Sequence, residues 1–222
     1  MAEPRNEQPS PWRAGLTLAV LAAVCSALVA LTRYLTAPRI AANEQAALEQ
    51  RLTPSLGDLL YDNDLLESQI MVQPPNELPG NRPVPVYPVR SGGRPVAAVF
   101  VVDEPGGYAG PIRLMIAIRY SGELSGVRVL AHRETPGIGD RIEPDKSDWL
   151  QQFKGVSLEA PERNKWAVKR DGGAFDQITG ATITTRAVVR AVRQTLIYFE
   201  AHRDEIFAME SRPADKDQGG AE

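Results

Sequence analysis

One cysteine, Cys25, and two histidines, His132 and His202, are all that 222 residues offer in the way of soft metal ligands. A four-ligand structural zinc site, a four-thiolate iron–sulfur cluster and a disulfide framework are therefore excluded. Any redox chemistry must come from an organic cofactor or a partner. Charge of one sign is also missing: 25 basic residues against 28 acidic ones leave a net charge of -3, with no basic run. That balance gives no electrostatic reason to bind nucleic acid. Disorder is excluded from the other direction, since 43% hydrophobic and 24% charged residues suffice for a core. The length suits one domain of ordinary size plus an additional segment.

The one long apolar run is AGLTLAVLAAVCSALVALT between Arg13 and Arg33, nineteen residues without charge or proline. At helical rise it spans about 28 Å, the thickness of a bilayer's hydrocarbon. A cleaved secretory signal needs a shorter apolar stretch and a small-x-small site, which neither Leu28-Val29-Ala30 nor Cys25-Ser26-Ala27 fits well. We read the run as a retained transmembrane helix over 14–35, after a short tail at 1–13. Arg5 and Arg13 before it nearly balance Arg33 and Arg39 after it, so the positive-inside rule does not orient it.

After Pro38, Arg39–Leu52 reads as a stalk helix, and residues 73–95 hold seven prolines, which exclude helix there. Together 36–94 reads as a helical stalk and a Pro-rich linker. From Pro95 the pattern changes to PVAAVFVV, IRLMIAIRY and GVRVLAH, period-two strands separated by Gly-rich turns. Asp145–Phe153 reads as a short helix and Lys165–Lys169 as a further strand. Ala187/Val188, Ala191/Val192, Thr195/Leu196 and Phe199 then form a helical apolar stripe. The expected fold is α+β: an N-terminal transmembrane helix, then an antiparallel-sheet domain over 95–210 packed by a C-terminal amphipathic helix. A polar tail over 211–222 reads as disordered.

Chemistry concentrates in Asp176-Gln177-Ile178-Thr179-Gly180-Ala181-Thr182-Ile183-Thr184-Thr185, small and hydroxyl residues that lead into the amphipathic helix. Thr182, Thr184 and Thr185 compete to be its N-cap. A helix start of this kind offers unpaired N–H groups to an anion such as phosphate. Two other turns stand out. His132-Arg133-Glu134-Thr135-Pro136-Gly137-Ile138-Gly139-Asp140 is bent by its proline and glycines, and Gly106-Gly107-Tyr108-Ala109-Gly110-Pro111-Ile112 precedes a strand. Glu134 on its own reads as a solvated carboxylate. His132 and His202 lack partners at ligand spacing and read as surface histidines, while Tyr108 and Trp149 are the aromatic candidates for contact with a flat ring.

The segment DQITGAT resembles the flavinylation motif Asp-x-x-Ser/Thr-Gly-Ala-Ser/Thr of the FMN-binding domain family found in ion-pumping redox complexes of bacterial membranes. ETPGIG resembles that family's Glu-Thr-Pro-Gly-Leu-Gly loop, with Ile138 for the usual Leu, and GYAGPI its Gly-Tyr-x-Gly-x-Ile turn. Leu60-Tyr61-Asp62-Asn63 and the short anchor are similar to the G subunits of Rnf (Rsx) electron transport complexes. The resemblance implies covalent FMN, its phosphate esterified to the Thr182 hydroxyl by a flavin transferase that uses FAD. It implies a cofactor site of Thr179, Gly180, Ala181, Thr184 and Thr185 with Glu134, Thr135 and Gly137, and Asp176 as the residue the transferase recognises. By the same resemblance the chain is an electron-transfer subunit rather than a stand-alone catalyst. It would sit in the bacterial inner membrane with its flavin domain on the periplasmic side. The other subunits, A to E, would be its partners in coupling electron flow between ferredoxin and NAD to ion movement. Two rivals stand beside this: the C subunit of a sodium-pumping NADH:quinone oxidoreductase, usually longer than 222 residues, and a non-redox membrane-tethered binding module.

Overall fold

The structure, a computed structural model, describes residues 11–56, 59–73 and 77–209. The chain divides into two compact units, Met1–Leu48 and Glu49–Glu222. Most of the expected tails, 1–13 and 211–222, lies outside the described residues.

Helix α1 runs from Pro11 to Leu56. Within it Leu18–Ala37 is long and apolar enough to cross a membrane once, displaced by a few residues from the 14–35 read from the sequence. Two hydroxyls in this apolar stretch are satisfied within the helix, Thr32 donating to the Leu28 carbonyl and Thr36 to the Thr32 carbonyl, each at 2.8 Å. That local bonding removes the cost of placing a hydroxyl in hydrocarbon. The stretch Arg39–Leu52, read as a stalk helix, is helical, and α1 continues into it through Pro38.

The second unit carries a five-stranded antiparallel meander of β1 (Ile70–Val72), β2 (Val84–Ser91), β3 (Arg94–Glu104), β4 (Ile112–Arg119) and β5 (Leu124–Ala131), in that spatial order. β1 and β2 lie in the stretch read as stalk and linker, so the sheet begins well before Pro95. The prolines of β2 misled the reading, because its sequence VPVYPVRS keeps an extended backbone while giving up ladder donors. Asn63 compensates beside it. Its Nδ2 donates to the Pro88 carbonyl at 2.9 Å, and its Oδ1 accepts the Arg90 N–H at 2.7 Å, extending the ladder past the three-residue β1. A two-residue turn at Gly92-Gly93, with φ of 57° and 74°, then returns the chain into β3.

Helix α2 (Thr182–Ala208) lies on β3 and β4. Every residue of its expected stripe is buried, as are Phe100, Ile112, Leu114, Ile116 and Ile118 beneath it. Phe100 meets Phe199 and Tyr198 edge to face, with ring centroids 6.2 and 6.4 Å apart. Such pairs add about 0.5–1.5 kcal/mol to simple burial. Between β5 and α2 the chain forms short 3-10 helices, including Trp149–Phe153 and Lys169–Asp171. The expected strand at Lys165–Lys169 is reduced to a single bridge between Val168 and Phe175.

Candidate functional site

The start of α2 has no side-chain cap. Ala181 occupies the N-cap position with φ -118° and ψ 39°, so none of the three competing threonines caps the helix. The N–H groups of Thr182, Ile183 and Thr184 are the orphan donors that every helix leaves in its first turn. Each threonine hydroxyl has a different fate. Thr185 is fully buried and donates to the Ala181 and Thr182 carbonyls, both at 3.1 Å. Thr184 is 1% exposed and donates to Glu134 Oε2 at 2.5 Å. Thr182, half-buried at the head of the helix, has no hydrogen-bond partner for its hydroxyl among the described residues.

Glu134 is the centre of the arrangement, and its burial corrects the solvated reading. It is 4% exposed, and its Oε1 accepts the Ala109 N–H at 3.2 Å. The space it fills is cut for it: a Cβ on Gly107 would lie 2.7 Å from Oε1, and one on Gly139 2.8 Å from the Glu134 Cβ. The Glu134 N–H donates to His132 Nδ1 at 3.0 Å, and His132 Nε2 stands 2.7 Å from Glu143 Oε1. With Nδ1 accepting, the ring proton falls on Nε2 and points at Glu143. His132 is thus a part of the loop's scaffold rather than a surface histidine. His202 is likewise partnered, stacked on Tyr198 at 4.2 Å.

These contacts bring the three motifs to one groove of about 440 Å³. Tyr108 comes from the first turn, Glu134, Thr135, Ile138 and Gly139 from the second, and Gly180 through Thr184 from the third. Both the volume and the mixed lining fall within the range of small-molecule sites. The Thr135 carbonyl accepts the N–H groups of Ile138 and Gly139 and so closes the loop, and Gly137 makes the bend with φ of +78°. Gly137 and Thr179 do not line the groove; Thr179 is exposed beside it. Thr185 does not line it either, and the Thr184 hydroxyl is spent on Glu134.

Asp176 lies outside the groove. Its carboxylate is 65% exposed and pairs with Lys169 Nζ at 2.6 Å, while its backbone is held by Gln152 Oε1 and Trp149 Nε1, each at 2.7 Å. Trp149 is occupied by that bond and by edge contact with Phe153, which leaves Tyr108 as the aromatic of the groove. Exposed apolar side chains gather there: Tyr108, Ile138 and Ile183 are 68%, 45% and 49% exposed. The signal that sequence reasoning missed is Glu104, at 2% exposure the most buried carboxylate of the chain's described residues, which accepts the Gly106 N–H at 2.8 Å and the Arg190 guanidinium at 2.5 Å. Only the non-local pairing with α2 makes it visible.

Comparison with known proteins agrees with this geometry. Residues 107–197 match the model of the FMN-binding domain, which spans all three lining turns, and residues 4–53 match that of the RnfG N-terminal region. The G subunit of the ion-translocating oxidoreductase complex of Shewanella loihica is 44% identical over 197 residues, covering 89% of this chain and 92% of that protein. The corresponding G subunits of Pseudomonas aeruginosa and Photorhabdus laumondii are 45% and 43% identical, over 89% and 90% of this chain and 92% and 95% of their own lengths. With an FMN-binding domain behind an apolar anchor, and similarity to these proteins over about nine-tenths of its length, the chain belongs to the G-subunit family of ion-translocating oxidoreductase complexes.

Proposed function

We propose that this chain is the membrane-anchored flavin carrier of an Rnf-type complex, with FMN joined through its phosphate to the Thr182 hydroxyl. The observation that carries the reading is the sorting of the threonines: Thr184 and Thr185 are buried and bonded, whereas Thr182 stands at the groove with no partner for its hydroxyl among the described residues. The uncapped N–H groups beside it suit a phosphate. In attachment Thr182 Oγ would take up the flavin phosphate of FAD, with the pyrophosphate bond breaking, AMP leaving and the hydroxyl proton passing to a base of the flavin transferase. The exposure of Asp176 and its position outside the groove support a role in recognition by that enzyme rather than in contact with the cofactor.

Bound flavin supplies one- and two-electron redox chemistry, and the protein supplies attachment and orientation. A covalent tether keeps the carrier loaded through every turnover. In this reading the other subunits, A to E, are the partners, electrons pass between ferredoxin and NAD, and ion movement is coupled to their flow. The domain faces the periplasm of a bacterial inner membrane. Similarity to G subunits over about nine-tenths of the chain favours this assignment over the C subunit of the sodium-pumping quinone oxidoreductase.

The test is Thr182→Ala in the full chain, produced with the flavin transferase and run on a denaturing gel. Wild type should give a band that fluoresces under ultraviolet light, and the variant a membrane-inserted protein with a dark one. A fluorescent variant band would move the attachment elsewhere.

A further inference from the structure

Tyr108 combines two properties that seldom go together: it is 68% exposed, yet the turn that carries it is fixed on both sides by buried carboxylates. Before it, Glu104 accepts the Gly106 N–H. After it, Glu134 accepts the Ala109 N–H. Each carboxylate is in turn tied to α2, Glu104 by Arg190 and Glu134 by Thr184. These two helix positions lie about 9 Å apart along the axis, so the turn is braced at two points against the helix that begins with Thr182. The fit is tight, since a Cβ on Gly106 would lie 2.1 Å from Arg190 Nη2 and one on Gly107 2.2 Å from the Gly110 carbonyl. Burying two carboxylates beneath a surface turn is costly unless each is fully engaged. The fold meets that cost at a turn whose apex contributes nothing to the core.

We infer that Tyr108 is a rigid platform for the isoalloxazine ring, and that Glu104 and Arg190 are the positioning residues that hold it there; the inference rests on the flavin reading above. An exposed aromatic carried on a backbone that is braced on both sides meets a flat ring at a lower ordering cost than one on a free loop, because the turn itself need not be ordered. Tyr108 lines the same groove as Thr182, and Trp149 does not. Glu104 and Arg190 lie outside that groove and act only through the turn.

Flavin emission reads this contact directly. An electron-rich phenol against the ring passes an electron to the excited flavin and takes it back, which returns the flavin to its ground state without light. The experiment uses the full-length flavinylated chain in detergent, with emission normalised to flavin released on denaturation. Wild type should be dim. Tyr108→Phe should brighten several-fold, because its ring cannot donate, and Tyr108→Trp should stay dim. Glu104→Gln and the milder Arg190→Lys should brighten to intermediate levels while their gel bands remain fluorescent, and Trp149→Phe should leave emission unchanged. Wild-type emission in Tyr108→Phe overturns the platform. Wild-type emission in both Glu104→Gln and Arg190→Lys overturns the positioning role. A dark wild-type gel band instead removes the covalent flavin and this inference with it, so the two failures are distinct.

Discussion

Breaking the bond between Glu134 and Thr184 tests the reasoning at the centre of the groove. Glu134→Gln keeps the shape but replaces one acceptor oxygen with a donor. One orientation of the amide sets its N–H against the Ala109 N–H, and the other leaves the Thr184 hydroxyl proton without the carboxylate oxygen that now accepts it. A buried donor left without an acceptor costs about 1–3 kcal/mol. Thr184→Val removes the hydroxyl instead and leaves Glu134 Oε2 short of a partner in a site 4% exposed, a penalty of the same order or larger. For a chain of this size each single change should lower the melting temperature by about 2–12 °C. The double variant loses the interaction only once, so its destabilisation should fall short of the summed singles by about 0.5–3 kcal/mol. Unfolding of the four full-length proteins in one detergent, followed by circular dichroism, measures the cycle. Additivity to within about 0.5 kcal/mol would refute the direct bond and with it the idea that α2 anchors the ETPGIG loop.

Asp176→Ala should abolish the fluorescent gel band while changing stability by less than about 1 kcal/mol, because the ion pair it loses is exposed on both sides; a selectively unfolded variant would make Asp176 structural. Asp103 provides a pH dependence: its two hydrogen bonds from Arg113, at 2.7 and 3.0 Å, hold its carboxyl below its ordinary value of 3.8. A depressed carboxyl contributes stability above its unfolded value and loses it as pH falls through the folded one. Asp103→Asn should therefore flatten the acid side of the unfolding profile, where pH falls through and below the ordinary carboxyl value of 3.8, and an unchanged slope there would count against the pairing. Asn63→Ala removes two hydrogen bonds to β2 and should cost about 1–3 kcal/mol, with faster hydrogen exchange at the Arg90 amide. Unaltered exchange there would show that Asn63 is not the missing ladder partner.

What could be read from the sequence divides along the range of the interactions. Local periodicity placed β3, β4, β5 and the stripe of α2, since alternation and the 3.6-residue repeat are written in neighbouring residues. β2 escaped because Pro85 and Pro88 argue against a central strand, and the partner of the Pro88 carbonyl, Asn63, lies 25 residues away in the sequence. The glycine pair at 92–93 was the available signal, two residues between extended runs. Sequence also identified the three turns of the groove, but not what joins them. Glu134 and Glu104 look like any surface glutamate until α2 supplies Thr184 and Arg190, 50 and 86 positions further along. The N-cap was misplaced for a related reason: hydroxyl side chains near a helix start usually cap it, yet here two of them face buried partners.

The order of the strands bears on when the site comes into being. A meander joins each strand to its sequence neighbour, so every sheet pairing closes a short loop and forms early at small entropic cost. The groove is different, since its third wall arrives only when α2 docks across β3 and β4. An unfolded or half-folded chain carries the DQITGAT sequence but not the geometry around Thr182. On the proposed flavin reading, attachment at Thr182 should therefore mark completed folding, and a chain that stalls before α2 docks should remain unpigmented.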